Sequence, residues 1–263
     1  MISVRHTSPC VEAQAAQAGG PASDTCGIVV AGGAGERFGD PRGKQFVDLA
    51  GMPLVCWSVL ALDRSASVAS LVVVAPEGRE DEMRDVLATH LTLIHPLAIA
   101  SSGATRQGSV RNGLACVPRG CDLVAVHDGA RPLIRPAAID AVCERVRNDR
   151  LVAGAIAANP STDTLKIAEG ETIVSTPDRT YYWSAQTPQV FRLATLVAAH
   201  EEAERTGYVG TDDASLVEHA GGRVVLVDTA RDNIKVTLPE DLIIAEALLE
   251  RRLVDEGCGF GKG

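Results

Sequence analysis

Aromatic side chains are scarce: Phe, Trp and Tyr together make up 3% of the 263 residues. Any core must therefore be built from Val, Leu, Ile and Ala. The cysteines number seven, an odd count with scattered spacing and no C-x-x-C pair. That speaks against a zinc site or a disulfide framework and suits a reducing cytoplasm. No uninterrupted apolar run approaches the roughly 20 residues of a bilayer span, so no membrane association is expected. Basic charge is not in excess either. The formal net charge of -9 argues against a general nucleic-acid binder, whose phosphate contacts need a basic surface. A small phosphate ligand stays open, because a few well-placed Arg and Lys residues suffice for it.

What is present is an ordinary globular composition, 46% apolar and 22% charged. The length fits one large α/β domain. Residues 1–25 are rich in Ala, Gln, Ser and Pro and lack a signal-peptide core, so they read as a disordered extension. Residues 26–253 read as a single domain without repeat or linker, and 254–263 as a flexible tail. Short β-branched runs (Ile28-Val29-Val30, Leu71-Val72-Val73-Val74, Leu123-Val124-Ala125-Val126 and 223–227) alternate with helical stretches near 53–63, 79–89, 105–117, 136–147, 192–205 and 239–252. This pattern predicts a Rossmann-like, doubly wound, mostly parallel sheet. From Asp163 to Thr180, two alternating runs flank Ala168-Glu169-Gly170-Glu171. They predict a β-hairpin arm within about 160–182, which needs something to pack against.

The first chemically informative segment is Ala31-Gly32-Gly33-Ala34-Gly35-Glu36-Arg37-Phe38-Gly39, followed by Lys44-Gln45. Glycines after a buried strand let backbone N–H groups approach phosphate oxygens. The Walker A spacing fails, because Lys44 lacks the upstream Gly and the following Ser or Thr. The dinucleotide fingerprint fails too, with Phe38 where its third Gly belongs. What is left is a glycine loop carrying Arg37 and Lys44, suited to a triphosphate tail. A structural turn with surface charges is the alternative.

Three further segments follow strands or enter a helix. Val126-His127-Asp128-Gly129-Ala130-Arg131-Pro132 puts Asp128 and Arg131 at the carboxyl edge of the sheet, where open α/β folds bind ligands. An acid there holds Mg²⁺ or a hydroxyl, or simply caps a turn, and an Arg clamps phosphate. His127 reads as a neutral, packed histidine rather than a base. Lys235, in Asp232-Asn233-Ile234-Lys235-Val236-Thr237, adds a positive charge near a strand end or a solvated one. Ser102-Gly103-Ala104-Thr105-Arg106-Gln107-Gly108-Ser109 enters a helix and offers backbone contacts or only an N-cap.

Taken in order, these segments together with D-T-L-K, T-P-D-R, Q-T-P-Q and T-D-D-A-S resemble the 2-C-methyl-D-erythritol 4-phosphate cytidylyltransferases over about residues 26–252. The resemblance implies attack of a phosphorylated polyol on the α-phosphorus of CTP, releasing pyrophosphate, with Mg²⁺ across the triphosphate. It implies that Arg37 and Lys44 are catalytic, and that Ala31, Gly32, Gly33, Ala34, Gly35, Gly103 and Ser109 hold the nucleotide. Asp128, Arg131, Thr164, Arg179 and Lys235 match positions that bind the methylerythritol phosphate. The hairpin would be exchanged between the subunits of a homodimer, so that Thr164 and Arg179 act in trans. Two departures stand out: Ala104 replaces an acid found in some members, and Gly43 replaces the proline before the loop lysine. Ribitol 5-phosphate cytidylyltransferase is the nearest alternative; an NAD-binding dehydrogenase is disfavoured by the missing third glycine.

Overall fold

A computed structural model describes residues 10–11, 23–33, 35, 38–40 and 42–255 of the chain. Its strands are β1 (Cys10–Val11), β2 (Thr25–Val30), β3 (Asp48–Leu49), β4 (Met52–Pro53), β5 (Val68–Ala75), β6 (Leu97–Ser101), β7 (Leu123–Asp128), β8 (Gly154–Pro160), β9 (Ile167–Glu169), β10 (Thr172–Ser175), β11 (Trp183–Arg192) and β12 (Val224–Asp228). The helices are α1 (Leu54–Asp63), α2 (Glu80–His90), α3 (Arg106–Leu114), α4 (Pro136–Arg147), α5 (Leu193–Thr206), α6 (Asp213–His219) and α7 (Pro239–Asp255).

Eight strands form one sheet in the order β1-β6-β5-β2-β7-β11-β8-β12. The strands β6, β5, β2 and β7 run parallel, as do β8 and β12, while β11 lies antiparallel to both of its neighbours. The chain thus winds outward from β2 through β5 to β6, then returns to the other side of β2 as β7. The order reverses between β2 and β7, whose last residues, Val30 and Asp128, are paired. A crevice opens at such a reversal because the two crossover helices leave in opposite directions.

Alternation along each strand feeds two apolar layers. Val29, Val73 and Ala125 face α1, α2 and α4; Ile28, Val72, Val74, Val124 and Val126 face α3, α5 and α6. The helix α4 shows why these segments fold as they do: Pro136 suits the first helical position, and Ile139, Val142, Cys143 and Val146 recur at helical spacing and are fully buried. Burying each such aliphatic side chain contributes roughly 1.5–3 kcal/mol relative to exposure. A third cluster, with Leu49, Leu54, Leu133, Val236, Ala245 and Leu249, seats α7.

The hairpin arm forms where the sequence placed it. Glu169 pairs with Thr172 across Gly170-Glu171, and Gly170 takes a φ of +57°. Its apolar residues Ile167, Ile173 and Val174 are exposed.

Three sheet strands escape the sequence pattern. In β6 (Leu-Ala-Ile-Ala-Ser) and in the Gly- and Ala-rich β8, small side chains hide the β signal. In β11, Pro188 argues against a central strand; it is accommodated at a register break between Ala185 and Gln189. Two terminal differences are short. Cys10–Val11, inside the stretch read as disordered, lies antiparallel on the otherwise unpaired edge of β6, and α7 carries the helix to Asp255.

Candidate active site

The glycine loop leaves β2 with Ala31 still in the ladder, its N–H donating to the carbonyl of Val74 at 2.9 Å. Gly32 then runs so close to Ser102 that a Cβ there would lie 2.3 Å from the serine Cβ. Lys44 begins a single 3-10 turn, Lys44–Phe46, and its Nζ donates to the carbonyl of Val236 at 3.1 Å. Opposite stands the entry to α3. Thr105 caps the helix by accepting from the Gly108 N–H, and the Gly103 N–H donates to Oγ of Ser109 at 3.1 Å. A Cβ on Gly103 would lie 2.8 Å from the carbonyl carbon of Gly108, so backbone meets backbone here. Between loop and helix opens a cavity of about 400 Å³, lined by Ala31, Gly32, Gly33, Lys44, Gly103 and Ser109 among others.

The wall between β2 and β7 carries the charge. Asp128 faces Lys235 at 2.7 Å, Arg106 at 3.7 Å and Arg131 at 3.9 Å. Burial alone would raise its pKa, but Lys235, Arg106 and Arg131 outweigh that and hold it down at about 2. Asp128 is therefore an anion surrounded by cations, not a proton carrier. Its neighbour His127 is fully buried. Burial pushes the imidazole pKa down to about 4. The hydroxyl of Thr187 accepts from the Asp128 N–H at 3.0 Å, which leaves its own proton for His127 Nδ1 at 3.0 Å. Nε2 then carries the ring proton toward the carbonyl of Arg131 at 3.1 Å. Both nitrogens are committed in the neutral state, as expected.

A strap formed by residues 232–237 closes the site. Val236 donates its N–H to the carbonyl of Ala130 at 2.8 Å, Arg131 Nη1 donates to the carbonyl of Asn233 at 2.8 Å, and Asn233 Nδ2 donates to the carbonyl of Thr187 at 2.9 Å. Next to it lies a second cavity of about 300 Å³, lined by Arg131, Gln186, Thr187, Gln189 and Asp212 among others. The two cavities share Arg106, Asp128 and Lys235. Two pockets therefore meet at one cationic divide.

This arrangement has relatives. The family model of 2-C-methyl-D-erythritol 4-phosphate cytidylyltransferase (IspD) matches residues 25–251. The chain belongs to this family. A cytidylyltransferase of that name from Caldanaerobacter subterraneus is 36% identical over 225 residues, covering 85% of this chain and 98% of the relative. One from Pelotomaculum thermopropionicum is 40% identical over 226 residues, covering 86% and 94%. Among solved structures, the 2-C-methyl-D-erythritol 4-phosphate cytidylyltransferase of Thermus thermophilus superposes with a TM-score of 0.68 at 31% identity, covering 84% of this chain and 97% of that one. The 4-diphosphocytidyl-2C-methyl-D-erythritol synthase of Anaerococcus prevotii gives 0.75 at 26% identity, covering 86% and 96%.

Against the residues implied by likeness to the cytidylyltransferases, the structure gathers most but not all. Ala31, Gly32, Gly33, Lys44, Gly103, Ser109, Asp128 and Lys235 line the first cavity, and Arg131 lines the second. Gly35 stands just behind, turning at φ +68° against Lys44. Ala34 and Arg37 lie outside the described residues. Thr164 and Arg179 sit on the exposed arm and line neither cavity; Arg179 Nη1 donates to the carbonyl of Thr162 at 2.7 Å. Sequence reasoning missed Arg106, Gln189 and the Asp212-Asp213 pair as site residues. A charge at a helix entrance reads as surface until the fold shows what faces it.

The donor set also bears on a metal. Among the described residues, no group of three or more His, Cys, Asp or Glu side chains is placed to hold an ion. Asp128 is the one acid among the described residues that lines the first cavity. Such a set suits Mg²⁺, which keeps waters and is often held by one or two carboxylates plus substrate phosphates, better than an ion needing a protein cage.

Proposed function

We propose that this chain transfers the cytidylyl group of CTP to 2-C-methyl-D-erythritol 4-phosphate, giving 4-diphosphocytidyl-2-C-methyl-D-erythritol and pyrophosphate in isoprenoid precursor biosynthesis. The observation that carries this reading is the shared wall: two adjoining cavities at the strand-order reversal, divided by Arg106, Asp128 and Lys235. The first takes the nucleotide against the glycine loop and Gly103, with Ser109 fixing the turn. The second takes the phosphorylated polyol against Arg131, whose buried Nε makes no hydrogen bond among the described residues. The acceptor's phosphate is already largely anionic at neutral pH, its second pKa lying near 6, so no general base is needed. That agrees with a neutral His127 and an Asp128 that is already ionised. Catalysis is then positioning and charge stabilisation. Lys44 and Arg37 neutralise the charge that grows on the pentacoordinate phosphorus and the leaving pyrophosphate.

Mg²⁺ would be held mainly by the CTP phosphates and would supply Lewis-acid charge neutralisation there, with Asp128 the described acid that lines the cavity. The working unit is a homodimer that exchanges the arms, so that Thr164 and Arg179 complete the partner's acceptor cavity. Three consecutive aromatics at the arm's base, Tyr181, Tyr182 and Trp183, are exposed in a chain with few aromatics, as an interface would need. No helix among the described residues is long and apolar enough to cross a membrane. Cys26, Cys56, Cys121 and Cys143 form no disulfide; a reducing cytoplasm is the compartment that suits them.

The deciding experiment is pyrophosphate release with purified protein, Mg²⁺ and each of the four nucleoside triphosphates, with methylerythritol phosphate and ribitol phosphate offered separately. Release only with CTP and methylerythritol phosphate is expected. Release with ribitol phosphate instead would replace the acceptor, and silence across the panel would overturn the enzymatic reading.

A further inference from the structure

Arg106 is the first residue of α3 and lines both cavities. Its Nη1 lies 2.9 Å from Oδ2 of Asp213, and its Nε 3.7 Å from Oδ1 of Asp128. Asp213 has no exposed surface. A carboxylate taken out of water is costly unless a cation stands against it; Arg106 is that cation, while His200 Nε2 stands 3.4 Å from the other oxygen. The carboxylate cannot wander. Asp213 opens α6 directly after its N-cap Asp212, and its N–H donates to Oε1 of Gln189 at 3.2 Å. Gln189 in turn donates to Asp212 at 2.6 Å. Burial works against the charge of Arg106, but Asp213 and Asp128 outweigh it and raise its pKa. The guanidinium is thus a permanent cation, anchored from behind at the boundary where the two pockets meet. Its five N–H donors exceed what two ion pairs occupy, and a planar fork of donors matches phosphate oxygens two at a time.

We propose that Arg106 is a substrate-contacting catalytic residue that binds phosphate from both sides of the divide, and that Asp213 is a positioning residue acting through it. The donor nucleotide's phosphate meets one edge of the fork and the acceptor's phosphate the other, so one cation draws together two anions that repel. This rests on the proposed cytidylyl transfer, but its test separates the two ideas.

Steady-state rates and CTP binding by calorimetry are measured for wild type, Arg106→Ala, Asp213→Asn and the double variant, with thermal melting to confirm folding. Loss of a charge-assisted phosphate contact should lower kcat/KM by about 100-fold in Arg106→Ala and weaken CTP binding about tenfold. Asp213→Asn should lose about tenfold, and in the Arg106→Ala background it should change kcat/KM by less than about threefold, because residues acting as one unit are non-additive. Effects that simply multiply would make Asp213 a structural residue. An active, folded Arg106→Ala protein with wild-type constants would end the proposal for Arg106 while leaving the reaction intact. If wild type itself is silent with CTP and methylerythritol phosphate, the reaction fails, and the CTP-binding comparison still decides Arg106. Should Arg106→Ala not fold, Arg106→Lys keeps a partner for Asp213 but lacks the fork; at least tenfold lower kcat/KM supports the proposal and a wild-type value overturns it.

Discussion

Nζ of Lys235 lies 2.7 Å from Oδ2 of Asp128, across 107 residues of chain. The pair aligns the strap with the end of β7 and, with Arg106 and Arg131, holds the carboxylate pKa at about 2, below the ordinary 3.8. A carboxylate more acidic in the folded state contributes stability above its unfolded pKa and loses it as pH falls toward the folded one. Lys235→Met should therefore raise the Asp128 pKa, visible in a carboxylate NMR titration, and move the acid-unfolding midpoint upward. It should also lower kcat/KM by about 100-fold. An unchanged Asp128 titration would show that Arg106 and Arg131 suffice.

His127 gives a second pH signature. Its folded pKa of about 4 lies below the ordinary 6.5, so the unfolded chain takes up a proton first as pH falls. The folded state should lose up to roughly 3 kcal/mol on this account between pH 6.5 and 4. Urea midpoints across that range should fall steeply in wild type and more gently in His127→Gln. Equal slopes would place the acid sensitivity elsewhere.

Two glycines should part company. An added Cβ at Gly103 meets the Gly108 backbone at 2.8 Å, whereas at Gly33, which lines the first cavity, it meets nothing within 4 Å. Gly103→Ala should cost about 1–3 kcal/mol of stability, the usual penalty for forced overpacking. Gly33→Ala should melt like wild type yet bind CTP more weakly, since its methyl group enters the nucleotide space. Calorimetry and melting curves together separate the two.

Arm exchange is tested by mixing. Lys44→Ala should cut turnover by about 100- to 1,000-fold, as loss of a preorganised charge does, and Arg179→Ala should mainly raise KM for the phosphorylated alcohol. Mixed after subunit exchange and assayed at an acceptor concentration well below the raised KM, the two impaired proteins should regain part of the activity. A mixture no better than its components would place Arg179 in its own subunit's site or outside the chemistry.

Much of this was legible in the chain. Ile28-Val29-Val30 and Leu71-Val72-Val73-Val74 announce buried strands because β-branched side chains suit a sheet covered on both faces. The segments around Lys44, Asp128 and Lys235 announce a phosphate site because glycines and isolated charges follow those strands. What stayed hidden depends on distance along the chain. Arg106 is one more charge until Asp213 and Asp128 close around it, and Asp213 looks like a second capping acid until its burial is known. β11 stayed hidden because Pro188 disguises a strand that the break in register makes room for.

The strap also sets an order of events. Lys44 waits on a carbonyl 192 residues further along, at Val236, and Arg131 on one 102 residues further, at Asn233. A chain leaving the ribosome presents the glycine loop long before either partner exists, and domains fold as units as they emerge. A nascent chain halted before Asn233 therefore carries the glycine loop but neither of these contacts. Neither Lys44 nor Arg131 can take up its contact with the strap before residues 233–236 have been made.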